Sequence, residues 1–158
     1  MGSQSGSHGT WVILPGLMTE ESTPADLVEL VRARIDAANR GDVDSMMRFY
    51  APEAVLEMRH VGGVLSGRAA IRGFIEEWFG GYDELRWQVE ELLDLGSGVV
   101  LEVVYQRARP VGVAGYVEQR EGWVVVLEEG FEVKCSIYQD IDEARAAAER
   151  LAQERADG

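Results

Sequence analysis

Between Tyr82 and Gln139 the chain reads as a nearly continuous run of β segments: Tyr82 to Leu95, Val99 to Arg109, Tyr116 to Leu127 and Phe131 to Gln139. Turn signals, among them Glu129-Gly130, stand between them. Connections this short join antiparallel neighbours, because a parallel return needs a crossover of about a dozen residues or more. The last segment alternates Phe131, Val133, Cys135 and Ile137 with Glu132, Lys134, Ser136 and Tyr138. One face of the sheet is therefore apolar and has to be covered.

The cover comes from the helices that precede the run. Thr23 is placed to cap a helix, Pro24 suits its first position, and Leu27, Val31, Ile35 and Ala38 follow at helical spacing before Asn39-Arg40-Gly41 closes it. Asp42 caps a second, shorter helix through Met46, Met47, Phe49 and Tyr50, which Pro52 ends. A strand over Ala54 to His60 turns at Gly62-Gly63 into a short return. Ser66 caps a third helix with Ile71, Phe74, Ile75, Trp78 and Phe79 on one stripe. Past the sheet, Asp140 and Glu143 form a capping box for a final helix with a weak stripe of Ala144, Ala147, Ala148 and Leu151.

This order predicts an α+β fold in which a cone-shaped, curved antiparallel or mixed sheet wraps around three helices, with a central pocket and a C-terminal helix. At 158 residues the chain has room for one domain, expected over 23–158. Residues 1–22, Gly/Ser-rich and then briefly apolar around Pro15, read as an N-terminal tail without chemistry.

Charge removes several function classes. With 15 Lys+Arg against 28 Asp+Glu, the net charge of −13 repels a phosphate backbone and an anionic lipid surface, so neither nucleic acid nor membrane is an expected partner. Cys135 is the only cysteine, and His8 and His60 are the only histidines. That ligand supply builds neither an internal disulfide nor a zinc site, and no metal or cofactor is expected. The early apolar run lacks the basic flank and length of a signal peptide, and a cytoplasmic location is expected.

Four stretches, with the order of elements around them, carry a resemblance. They are Asp36 to Asp44 at the helix–helix turn, Phe49 to Glu57 into the first strand, Ser66 to Phe74 opening the third helix, and the Gly130 hairpin with Tyr138-Gln139-Asp140. Over residues 24–155 the chain resembles the nuclear transport factor 2-like superfamily, in its SnoaL-like and ketosteroid-isomerase-like branches. The resemblance implies a cone with a pocket. Where the ketosteroid isomerases carry their proton-moving Asp this chain has Met58, and where they carry the first-helix Tyr it has Arg34. Their later-strand Asp matches Gly122 or Trp123, and the strand positions of the epoxide-hydrolase triad match Val104, Gln106 and Ile137. The usual residues for both chemistries are absent.

Strand alternation from Met58 sends Leu56 and His60 to the same side, and the same comparison turns Glu102, Val104 and Gln106 inward. Phe74 and Trp78 line the pocket from the third helix, and Cys135 and Ile137 from the last strand. The middle strand depends on its turn: a two-residue Glu129-Gly130 loop points Glu118 and Arg120 inward, whereas a bulge points Gln119, Glu121 and Trp123 inward. Glu resists the positive φ of a two-residue loop, which favours the bulge.

The expected function is binding of a small, apolar, neutral or cationic organic molecule by Met58, Phe74, Trp78, Val104, Gln106, Trp123, Cys135 and Ile137. The alternative is a lyase, isomerase or hydrolase with His60 and Glu102 as its acid–base pair, since an imidazole beside an inward carboxylate makes a serviceable base. Bland roles compete with each assignment. His60 also fits an exposed turn, Glu102 an ion pair with an arginine such as Arg120, Gln106 a partner for backbone, the aromatic residues plain core, and Cys135 an inert thiol. The apolar outer face, with Val124 and Val126, calls for a cover, and a homodimer through that face is expected to supply it.

Overall fold

The structure is a computed structural model and describes residues 24–158. The expected tail and the Thr23 cap lie outside the described residues. The elements follow as α1 (Pro24–Asn39), α2 (Val43–Met47), β1 (Tyr50–Met58), β2 (Gly63–Ser66), α3 (Arg68–Gly80), β3 (Tyr82–Gly96), β4 (Val99–Pro110), β5 (Val117–Glu128), β6 (Phe131–Tyr138) and α4 (Ile141–Asp157). The six strands form one open mixed sheet in the order β2-β1-β6-β5-β4-β3, with β1 and β6 parallel and every other pair antiparallel. This is the α+β architecture expected from the order of elements.

Local signals set most boundaries. Gly41 ends α1 at a φ of +71°, where a side chain would be strained, and Asp42 caps α2 by accepting from the Ser45 amide at 3.1 Å. Asp140 caps α4 in the same way, through the Glu143 amide at 3.0 Å. Two expectations fail for tertiary reasons. The second helix stops at Met47 and the strand starts at Tyr50, because the Glu132 amide donates to the Phe49 carbonyl at 2.7 Å and draws that segment into the sheet. The residue that opens α3 is Gly67 at a φ of +94°, not Ser66, which is held in β2 opposite Val55, and no side chain caps that end.

The β5–β6 connection departs from expectation more instructively. It is a two-residue loop, with Glu128 paired to Phe131 and both Glu129 (φ +54°) and Gly130 (φ +85°) at positive φ. Glu129 thus accepts the conformation that its side chain disfavours. A bulge is present too, but inside β6: Val126 pairs with Lys134 and Leu127 with Glu132, leaving Val133 as the extra residue. The loop and the bulge together send Gln119, Glu121 and Trp123 inward. They also turn Glu132 inward beside Cys135, against simple alternation, and leave Phe131 exposed.

The core on the concave side joins α1, α2 and α3 to the sheet through Val31, Ile35, Met46, Ile71, Ile75 and Val104. A second core lies on the convex side, where Ala144, Ala148 and Ala152 of α4 pack on Leu93, Val99, Leu101 and Val124. The helix approaches closely at Gly122, where an added Cβ would lie 2.4 Å from the Ala144 Cβ. The cover for the apolar outer face is therefore α4, and Val124 and Val126 are buried within the single chain. The requirement that pointed to a second copy on those residues is met internally. Beyond α4 the outer face is charged, with Arg120 clamped on Glu90 at 2.6 and 3.0 Å and Arg107 stacked 3.6 Å from the Tyr116 ring centroid.

Candidate functional site

Among the described residues, two spaces between the concave face and the helices bear on the site. The outer one is a cavity of about 400 Å³ lined by Met58 at the end of β1, which stops two residues short of the expected His60, by His60 in the turn after it, by Phe74, Glu77 and Trp78 from α3, by Gln119 and Glu121 from β5, and by Ile137 from β6 and Gln139 just past it. Its volume falls within the range of roughly 300–1,000 Å³ in which small organic ligands bind. The helical spacing of Phe74 and Trp78 puts an aromatic wall on one side, and β5 alternation puts Gln119 and Glu121 on the other.

Glu121 is 5% exposed. Its carboxylate accepts the indole Nε1–H of Trp123 at 3.0 Å and the amide Nε2–H of Gln119 at 3.2 Å. Burial raises its pKa above the ordinary carboxylate value, opposed by the Trp123 hydrogen bond and by the attraction of His60. His60 is exposed, at the rim of the same cavity.

The inner space is a void of about 20 Å³, room for one water, lined by Arg34, Met46, Tyr50, Leu56, Ile75, Trp78, Trp87, Trp123, Glu132, Cys135 and Ile137. Its polar side is a buried charge cluster. Arg34 donates through Nη2 to Glu102 and through Nη1 to Glu132 Oε1 at 2.8 Å, all three side chains being nearly inaccessible. Among the described residues Glu132 Oε2 has no hydrogen-bond partner. Burial works against the charge on Arg34, but the two carboxylates more than offset it and keep its pKa above the ordinary arginine value. For Glu132 burial prevails over Arg34, and its pKa is pushed up to about 7. Burial also raises the Tyr50 hydroxyl and the Cys135 thiol well above their usual values, leaving both neutral and Cys135 a poor nucleophile.

A ladder of rings separates the two spaces. Phe74 meets Trp78 at 5.5 Å between centroids, Trp78 meets Trp87 at 5.1 Å, and Trp87 meets Trp123 edge-on at 5.0 Å. The Arg34 guanidinium lies 5.7 Å from the Trp123 centroid. Trp123 thus gives its N–H to the carboxylate of the outer cavity and its face to the cation of the inner cluster.

The structure gathers Met58, His60, Phe74, Trp78 and Ile137 around the outer cavity, and Trp123 and Cys135 around the inner void. Val104 is buried in the core, and Gln106 accepts from Trp87 Nε1 at 2.7 Å. Gln106 therefore fixes an indole, rather than a backbone group. Glu102 is not beside His60: it is tied to Arg34, behind the tryptophans, while the Arg120 considered as its partner is on the other face with Glu90. Besides Glu77 of α3, the carboxylate that shares a cavity with His60 is the buried Glu121. Sequence reasoning set its direction correctly but gave it no role. Glu132 was missed, since only the Val133 bulge turns it inward. Among the described residues no group of three or more His, Cys, Asp or Glu side chains is arranged to hold a metal ion, and no helix is long and apolar enough to cross a membrane.

Residues 31–130 match the model of the SnoaL-like domain, and the chain belongs to that family. No curated protein matches it. Among solved structures it is similar to a hypothetical protein of ketosteroid-isomerase-like fold from Catenulispora acidiphila, in complex with trimethylamine, at 12% identity over 80% of this chain and 94% of that one (TM-score 0.65). It is also similar to a nuclear transport factor 2-like protein of unknown function from Burkholderia pseudomallei, at 20% identity over 73% and 92% (TM-score 0.63). A third is TerC co-crystallised with polyporic acid, at 13% identity over 77% and 97% (TM-score 0.62). At these identities the likeness is one of fold.

Proposed function

We propose that this SnoaL-like domain binds a small, largely apolar organic molecule in the outer cavity. The observation that carries the reading is the cavity's composition: Phe74, Trp78, Met58 and Ile137 supply apolar surface, and Gln119, Glu121, Gln139 and His60 supply a few polar groups to orient a ligand. Two of the similar structures were obtained with small organic molecules, trimethylamine and polyporic acid, which supports small-molecule binding as the reading. We place the domain in the cytoplasm. A second copy would meet the charged outer face beyond α4 around Arg107 and Arg120.

A thermal-shift screen with terpenoid, steroid and aromatic polyketide fragments tests the reading, because a ligand that binds only the folded state raises the midpoint. At least one class is expected to raise it in the wild type and not in Phe74→Arg, which fills the cavity. No shift in the wild type, or an equal shift in the variant, would overturn the reading.

A second reading is catalytic, a lyase, isomerase or hydrolase, and the observation in its favour is that His60 and Glu121 line one cavity. Here His60 exchanges the proton and Glu121 steadies the imidazolium. If a ligand from the screen is turned over, His60→Asn and Glu121→Gln should each remove turnover while its thermal shift survives. Undiminished turnover in both variants would eliminate this pair.

A further inference from the structure

We infer that the outer cavity selects organic cations, ammonium groups carried on an apolar body, and that Glu121 is the residue that selects them. The inference rests on the binding reading above and narrows it to a class of ligand.

Three observations converge on it. Glu121 is a buried carboxylate facing a cavity large enough for an organic molecule, and its hydrogen-bond partners, Gln119 and Trp123, are both uncharged. A buried carboxylate normally has a cationic partner. The chain has 15 Lys+Arg, yet among the described residues neither lysine nor arginine lines this cavity. Arg34, the buried guanidinium beyond Trp123, is committed to Glu102 and Glu132. Among the described residues, His60 at the exposed rim is the only lining side chain that can carry positive charge.

The opposite wall suits the same ligand. Phe74 and Trp78 line it, aromatic rings attract a cation through the ring quadrupole, and Trp78 is held in place by contact with Trp87. Glu77 adds a second negative charge at the edge of the cavity. Among the described residues, an anionic ligand would meet Glu121 and Glu77 with only His60 to offset them. An ammonium group loses hydration on entering an apolar cavity, so a neutral molecule of the same shape binds better unless a buried negative charge reverses the order. That reversal is what Glu121 supplies.

The test is an isosteric pair at fixed ionic strength: (4-hydroxyphenyl)trimethylammonium and 4-tert-butylphenol, which differ in a nitrogen for a carbon and in one positive charge. Titration calorimetry on the wild type should find the cation bound about tenfold or more tightly than the neutral compound. In Glu121→Gln the order should reverse, with 4-tert-butylphenol little changed. Equal binding, or tighter binding of 4-tert-butylphenol by the wild type, would overturn the inference and leave the binding site standing. Binding of neither compound would also overturn it, and would remove the binding reading as well if the fragment screen is blank. Should Glu121→Gln fail to fold, the wild-type comparison decides alone.

Discussion

Glu102 and Glu121 both face the concave side of the sheet from neighbouring strands, and Glu102 pairs in register with Trp123, two residues beyond Glu121. Each is almost fully buried. Glu102 has been given an arginine, in a cluster that also holds a second carboxylate and has no room beside it for more than a water. Glu121 has been given two neutral donors and an open cavity. A carboxylate with a built-in countercharge holds the interior together, as Glu102 ties β4 to α1 through Arg34. A carboxylate without one is, on the reading proposed above, free to meet a ligand, and the indole of Trp123 keeps the two systems apart.

The comparison breaks most visibly at the arginine. Arg34→Met leaves Glu102 and Glu132 buried without a cation and should destabilise the fold by about 3–5 kcal/mol in urea unfolding, the cost of orphaning buried charges. A loss below about 1 kcal/mol would mean that the cluster is not a structural ion pair. A smaller effect is expected from pH. Because the folded pKa of Glu132 is raised, the folded chain binds that proton more tightly than the unfolded chain. Its contribution is complete below about 4.5 and fades as pH rises to about 7. Stability should therefore decline across that window through Glu132, whose neighbours in the cluster are Arg34, Glu102, Tyr50 and Cys135, and Glu132→Gln should flatten the decline. An unchanged profile in the variant would assign the slope elsewhere. The smallest effect belongs to Glu121→Gln, which keeps the shape and one acceptor oxygen: unfolding free energy within about 1 kcal/mol of wild type. A loss as large as that of Arg34→Met would make Glu121 a structural residue like Glu102.

Much of the fold was legible because short-range chemistry wrote it. Gly41, Asp42 and Asp140 each act within three or four residues, and the boundaries they mark hold. The four long β segments were legible from composition and turns. What stayed hidden depends on residues far apart in the chain: Arg34 meets Glu102 and Glu132 across separations of 68 and 98 residues. The early start of β1 depends on Glu132, and the cover of the outer face depends on α4 finding Gly122. The candidate site was half legible. Alternation placed Met58, His60, Glu121 and Ile137, and helical spacing placed Phe74 and Trp78. It could not distinguish the carboxylate that meets His60 from the one that meets Arg34. Nor could it foresee that Glu129 would take a positive φ while Val133 bulged, two irregularities that preserve the parity of β5 and invert that of Glu132.

The tryptophan ladder also makes the molecule a spectroscopic instrument. Indole rings about 5 Å apart in edge contact couple their electronic transitions and give the folded chain a near-ultraviolet circular dichroism signature that vanishes when the ladder comes apart. Trp78 forms part of the wall of both spaces. Occupancy of either one therefore perturbs the same coupled chromophore, and a ligand without colour of its own can be followed through the light the protein absorbs.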